Sequence, residues 1–240
     1  MGGAVLHPDH PALLDQLIKA ARPHNARGFD AESYLGSGHV FHNVSVPDRR
    51  RIAKAWVAAH RSTPPSQVLA LVESLLAGPS HEEKTLATIL LACCRPARLV
   101  AGPAEVDRWL DRLNGWAEVD SLCQNLFPAE QLLADWPAWS GLIRRLARDA
   151  DINKRRAALV LLTGPVHYSD DPRLADLAFE TIETLKAERP ILITKAVSWL
   201  LRSMSDRHKP AVARYLDEQA ASLPAIAVRE TRRKIETGRK

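Results

Sequence analysis

Apolar residues recur at steps of three and four along almost the whole chain, the spacing that places one hydrophobic stripe on an α-helix. Alternating apolar and polar runs, the mark of a half-buried strand, are nearly absent. Pro, Gly and Asp punctuate the periodic runs and divide them into helices at 10–21, 29–36, 47–61, 64–77, 80–94, 103–113, 115–127, 136–148, 152–163, 172–187, 190–205, 208–222 and 224–237. Pro47, Pro64, Pro103, Pro137, Pro172 and Pro190 are placed in first turns, where a missing N–H costs nothing. Connections are short, so neighbouring helices should pack antiparallel in pairs. Pairs recurring every ~40 residues have the period of a HEAT-like array. The pattern predicts an all-α fold: an α-solenoid of HEAT-like helical pairs, in which equivalent points of successive repeats line one concave, basic groove. It reads as a single domain over residues 1–240, with 1–25 as an N-terminal helix and extension. The repeats are not alike in letters, and an irregular helical bundle is the other reading of the same periodicity.

Three helices carry more than a packing stripe. On 115–127 the stripe is Val119, Leu122, Cys123 and Leu126, with Trp116 and Asp120 one turn apart at its edge and Phe127 beside them. The pattern leaves open whether Trp116 is a core indole or a ligand-facing one. A partly desolvated carboxylate at Asp120 is expensive to keep without a purpose. The helix at 152–163 is apolar all round from Leu159 to Leu162, which predicts a buried inner helix. Arg155 and Arg156 sit in its first turn, where the helix dipole favours an anion. On 190–205, Ile193, Ala196, Val197, Leu200 and Met204 make the stripe, while Lys195, Trp199 and Arg202 gather on roughly the opposite side.

Composition narrows the partners. The 240 residues are 46% hydrophobic and 25% charged, which is ordinary for a folded chain and excludes a disordered one. A net charge of +5 makes a polyanionic partner plausible, and arginine suits phosphate better than lysine does. Cys93, Cys94 and Cys123 make no CxxC spacing and no disulfide framework, so a reducing, cytoplasmic setting is expected. No apolar run approaches a membrane span, and the N-terminus has no signal-peptide core, so no membrane is expected.

Several stretches resemble the AlkD-type DNA alkylation repair glycosylases, an all-α family of HEAT-like helical pairs. Ser33-Tyr34-Leu35 through Val44 and Val46-Pro47-Asp48-Arg49-Arg50 are similar to the family's N-terminal signature. Trp116-x-x-x-Asp120, with Val119 also in place, is similar to its central motif, and Arg155-Arg156-Ala157-Ala158-Leu159 to its arginine helix. Thr194-Lys195-Ala196-Val197-Ser198-Trp199-Leu200-Leu201-Arg202 resembles its most recognisable stretch, and Leu223-Pro224 with Arg229-Glu230 fits the closing helix more loosely. No motif is specific alone; their order and spacing together are. Three features depart: Gly115 stands where the family often has a second Trp, no aromatic lies between Asp151 and Lys154, and the N-terminal extension with His7 and His10 has no counterpart in the family pattern. The Gly115 departure suggests room for a larger adduct.

The resemblance implies excision of positively charged N3- or N7-alkylated purines from duplex DNA by hydrolysis of the N-glycosidic bond, without base flipping and with no cofactor or metal. A cationic base is already a good leaving group, so the remaining task is to stabilise positive charge developing on the deoxyribose. The matching positions imply Asp120 as the catalytic carboxylate, with Trp116 and Trp199 flanking the nucleotide; each cation–indole contact is worth ~0.5–2 kcal/mol. They also imply Arg156 or Arg155 as the phosphate clamp and Tyr34 on the backbone, with Lys195, Arg202, Arg49 and Arg50 as further DNA contacts. The expected partner is double-stranded DNA, bound by a monomer in the cytoplasm. A non-catalytic DNA-binding relative is the alternative, and a protein-interaction scaffold the third.

Other signals carry less. His39-x-x-His42 and His7-x-x-His10 lack further ligands nearby for a metal, and Gly36-Ser-Gly38 is followed by no phosphate-loop lysine. Cys93-Cys94 reads as mid-helix core. Arg49-Arg50-Arg51 with Lys54 is either a solvated face or a phosphate contact, and Arg232-Arg233-Lys234 with Arg239-Lys240 a solvated end or a weak DNA contact.

Overall fold

A computed structural model describes residues 6–23, 30–124 and 126–238; the expectation for Arg239-Lys240 lies outside them. Among the described residues there are fifteen α-helices and no strand, only an isolated bridge between Val40 and Ser80. The chain gathers into two compact units, Met1–Leu122 and Cys123–Lys240.

The first unit contains α1 (His10–Ala20), α2 (Ala31–Leu35), α3 (Val46–Ala59), α4 (Pro65–Leu76), α5 (His81–Cys93), α6 (Arg95–Val100), α7 (Pro103–Leu110) and most of α8 (Gly115–Cys123). Its centre is α5, on which α3, α4, α6 and α1 pack. The start of α5 is written in its sequence. Ser80 accepts from the Glu83 N–H while the Glu83 carboxylate accepts from the Ser80 N–H, a capping box that satisfies two orphan donors. Ser45 caps α3 with its side chain alone, accepting from Asp48 N–H, with Pro47 in the first turn.

The second unit contains α9 (Ala129–Ala134), α10 (Trp136–Leu146), α11 (Ile152–Tyr168), α12 (Pro172–Leu185), α13 (Ile191–Met204), α14 (Lys209–Gln219) and α15 (Ala225–Thr237). Helices α9, α11, α13 and α15 pack next-but-one on each other, while α10, α12 and α14 lie against them as a second layer. That is the stacking of an α-solenoid. Helix α11 is the inner helix expected, with every residue from Arg156 to Val166 buried. It outruns its predicted end and carries Pro165 inside it, which leaves the Leu161 carbonyl without its usual donor. Burial of Leu161, Leu162 and Val166 holds the last turn in place, each such side chain contributing about 2 kcal/mol.

Four expectations are corrected. Helices α6 and α9 were missed, because six residues hold fewer than two turns of periodicity. Helix α8 stops at Cys123, with Leu126 and Phe127 buried beyond it; Pro128 disfavours helical backbone at Phe127. Pro64 and Pro190 stand at N-caps, not inside first turns. Cys93 ends α5 and Cys94 caps it, both half-buried, so the pair is not mid-helix core.

Candidate functional site

In the first unit, the start of α8 is tied down at several points. Gly115 has φ +73°, a left-handed conformation, and a Cβ there would come within 2.2 Å of the Leu35 carbonyl oxygen. Only glycine fits. The expected room for a larger adduct at this position is therefore absent, since the backbone of Leu35 and Gly36 already fills it. The Trp116 Nε1–H donates to the Tyr34 carbonyl at 2.8 Å, and the Tyr34 ring meets the indole edge-on at 5.3 Å. The indole is thus fixed at one end by a hydrogen bond and on one side by a ring. Asp120, one turn further along the same face, is half-buried like Trp116, while Val119 and Leu122 between them and the core are fully buried. Tyr34 itself is exposed.

Beneath α8 lies a set of buried polar groups that the sequence did not reveal. Glu118 is 1% exposed. Its carboxylate accepts from His39 Nδ1 at 3.0 Å, from His81 Nδ1 at 3.1 Å and from the Asn114 backbone N–H at 3.0 Å. On the far side of its ring, His81 Nε2 accepts from Arg49 Nη1 at 3.4 Å, and Arg49 also donates to Thr85. Because a guanidinium only donates, the His81 proton must sit on Nδ1, facing Glu118. The His81 ring thus bridges the Arg49 guanidinium and the Glu118 carboxylate. Burial pulls the Arg49 pKa below its ordinary value, opposed by the nearby Glu82 charge. The Glu82 carboxylate in turn accepts from the His42 and Val44 backbone N–H groups at 2.9 and 3.2 Å, holding the loop before α3.

Arg49 is thereby placed away from any solvent-facing phosphate role: it is buried against α5, and only Arg50 of the two remains exposed. Neither the solvated-face nor the phosphate-contact reading fits Arg49. His39, set aside as a metal ligand, serves Glu118 instead. One signal was available. On a helical wheel Glu118 lies about 40° from Leu122, just beyond the edge of the apolar arc, on the flank opposite Trp116 and Asp120.

In the second unit, Arg155 and Arg156 separate in role. Arg155 forms a two-pronged ion pair with Glu188, at 2.8 and 3.2 Å, and donates from Nη1 to the Asp149 and Ala150 carbonyls at 2.8 and 2.7 Å. Those bonds take four of its five N–H groups and make it a staple between α11 and the chain after α12. Arg156 is buried, with Nη1 donating to the Leu192 carbonyl at 2.5 Å, which ties α11 to the first turn of α13. On α13 the expected stripe is buried, joined by Ser198 and Leu201. Lys195 is exposed and Trp199 half-buried, on the side away from Ile193, Ala196 and Leu200. Arg202 faces Glu230 at 3.4 Å, and Glu230 accepts from the Ser198 hydroxyl at 2.6 Å, so Arg202 helps join α13 to α15. Among the described residues no group of histidine, cysteine and acidic side chains is arranged to hold a metal ion, and no helix is long and apolar enough to cross a membrane.

The all-α architecture, with the stacked helices of the second unit and, in the first, a pinned indole with a carboxylate one turn on, defines the class as a helical-repeat protein. The chain belongs to the DNA alkylation repair enzyme family, whose model matches residues 13–235. In fold it is similar to a predicted DNA alkylation repair enzyme from Enterococcus faecalis, with a TM-score of 0.69, 18% identity, and coverage of 86% of this chain and 93% of that one. No curated protein sequence matches. Family membership makes the chain an enzyme of DNA repair acting on alkylation damage, with DNA as its partner.

Proposed function

We propose that the chain is a DNA glycosylase that hydrolyses the N-glycosidic bond of positively charged N3- and N7-alkylated purines in duplex DNA. The observation that carries this reading is the α8 pair, in which Trp116 is pinned by Tyr34 and Asp120 stands on the same half-buried face. Because the alkylated base leaves without protonation, the reaction needs a fixed negative charge near C1′ more than it needs an acid. Asp120 supplies that charge and orients the attacking water. A carboxylate set in a partly desolvated site stabilises an oxocarbenium-like sugar more than one in bulk water.

The indole face of Trp116 reinforces that field by cation–π attraction, and Trp199, half-buried on α13, offers a second such face to the cationic nucleotide. Tyr34, Arg50 and Lys195 are exposed and engage the DNA backbone, while Arg156 and Arg202 tie α13 to α11 and to α15. Arg155, committed to Glu188, acts on DNA only through the helix it staples. Nothing in this scheme requires a flipped base, and recognition rests on charge and on the sugar-phosphate backbone.

The test is release of free 7-methylguanine from a duplex carrying that single lesion. Wild type should release it, and Asp120→Asn should lower the rate about 10²–10³-fold, the range seen when one preorganised electrostatic group is lost. Duplex affinity should stay within threefold. Full activity in Asp120→Asn would overturn the catalytic assignment, and binding without any release by wild type would make the chain a non-excising relative.

A further inference from the structure

We infer that Glu118 is a positioning residue for the excision site, holding the face of α8 that carries Trp116 and Asp120; this rests on the glycosylase reading above. A fully buried carboxylate is costly unless its lone pairs are filled, and here three N–H groups from separate parts of the first unit fill them. His39 comes from the loop after α2, His81 from the first turn of α5, and the Asn114 N–H from the residue just before α8. Asn114 extends the tie, its Nδ2 donating to the Ser37 carbonyl at 2.9 Å and its Oδ1 accepting from the Gly115 N–H at 3.0 Å. A helix of nine residues has little stiffness of its own, so its rotation is set by these anchors.

The geometry makes the link to Trp116 direct. The segment that carries His39 and Ser37 also carries the Tyr34 carbonyl, which receives the Trp116 indole N–H. Glu118 grips that segment from the opposite flank of the same helix. Releasing it leaves the Trp116–Tyr34 and Asn114–Ser37 bonds to hold that segment alone.

The chemistry also demands a carboxylate and not merely a polar group. His81 cannot turn its proton to Nε2, because Arg49 occupies that side with a donor. An amide at position 118 would set one of its own N–H groups against His81, His39 or Asn114. Glu118→Gln, equal in size, should therefore misplace α8.

The experiment pairs two readouts on the full chain. The first is hydrogen exchange of the Trp116 indole N–H, assigned by its loss in Trp116→Phe. The second is steady-state release of 7-methylguanine from a single-lesion duplex. Glu118→Gln should speed the exchange at least fivefold and lower kcat at least tenfold with KM within twofold. Glu83→Gln, which removes an equally buried carboxylate that bonds His10 and Ser80 but no residue of α8, should leave the Trp116 exchange unchanged. If Glu118→Gln does not fold, His39→Ala removes the donor at the exposed edge and should raise exchange and lower kcat about threefold. Exchange or kcat within twofold of wild type in the folded Glu118→Gln overturns the inference. Absence of base release by wild type sinks the glycosylase reading instead, and the exchange arm then decides the role of Glu118 alone.

Discussion

The helix pair α5 and α8 in the first unit and the pair α11 and α13 in the second solve the burial problem in opposite ways. Helix α5 buries His81, Glu82, Glu83 and Lys84 in succession, and α8 buries Glu118. Helix α11 instead buries an unbroken run from Ala157 to Leu162, and α13 lines its inner face with Ile193, Val197, Leu200 and Leu201. Apolar packing is strong but tolerant: it fixes that two helices touch, and tolerates small slides and rotations. Buried hydrogen bonds to charged groups are unforgiving in direction and fix where a helix end sits. Lys84 shows the demand, since burial lowers its pKa while its ammonium donates to the Leu76 carbonyl at 2.8 Å and the Glu118 and Glu83 charges oppose that fall. The first unit concentrates buried charge at helix starts, whereas the second adds single polar ties, from Arg156 and Ser198, to a mainly apolar frame.

The largest effect that separates the two is on stability. Leu159→Ala in α11 empties a site with no exposure and should cost about 3 kcal/mol, with the melting temperature falling by roughly 2–4 °C for each kcal/mol. Base release per folded molecule should be unchanged, as judged from urea melts and kcat on the same preparation. A kcat that falls with the stability would show that the apolar frame also sets the site, and the division would fail.

Gly115→Ala comes next. A left-handed non-glycine residue costs about 1–2 kcal/mol, and the Leu35 carbonyl is backbone and cannot step aside as a side chain would. The expected loss is about 2 kcal/mol in a urea melt, together with a loss of base release out of proportion to the unfolded fraction, because the start of α8 must move. Unchanged release in the folded variant would mean that the seat of Trp116 does not need this close approach.

What could be read from the chain follows the same division. Helix α13 was legible almost to the residue, because Ile193, Val197, Leu200 and Met204 keep helical spacing over several turns. Helix α11 was legible as an inner helix, yet its length was not, since Pro165 argues locally for an end and only burial on all sides overrides it. Family motifs drew attention to Trp116 and Asp120, whose pattern places them at a stripe edge. Glu118 escaped because its partners, His39 and His81, lie 79 and 37 residues away, and no local spacing encodes a bond across that distance. Arg49 was misjudged for a related reason. In a run of arginines the solvated reading is the natural one, and only the fold shows which of them turns inward.

The smallest effect tests whether buried charge in the first unit also sets its response to acid. Burial pushes the Glu83 carboxyl up, but the bonds from the His10 ring at 2.8 Å and from the Ser80 hydroxyl and N–H together outweigh it and hold the pKa below 4.5. A carboxyl depressed on folding contributes stability that is fully present above its unfolded value and is lost as pH falls through the folded one. The wild-type urea midpoint should therefore decline as the pH drops below about 4.5, the ordinary value for this group. Glu83→Gln should start lower at neutral pH, since its amide cannot accept from His10 and Ser80 together, and should decline less steeply in acid. Parallel curves for the two proteins would mean that the Glu83 cluster packs α1 on α5 without sensing protons, and that direction-sensitive bonding in this unit is confined to Glu118 and its neighbours.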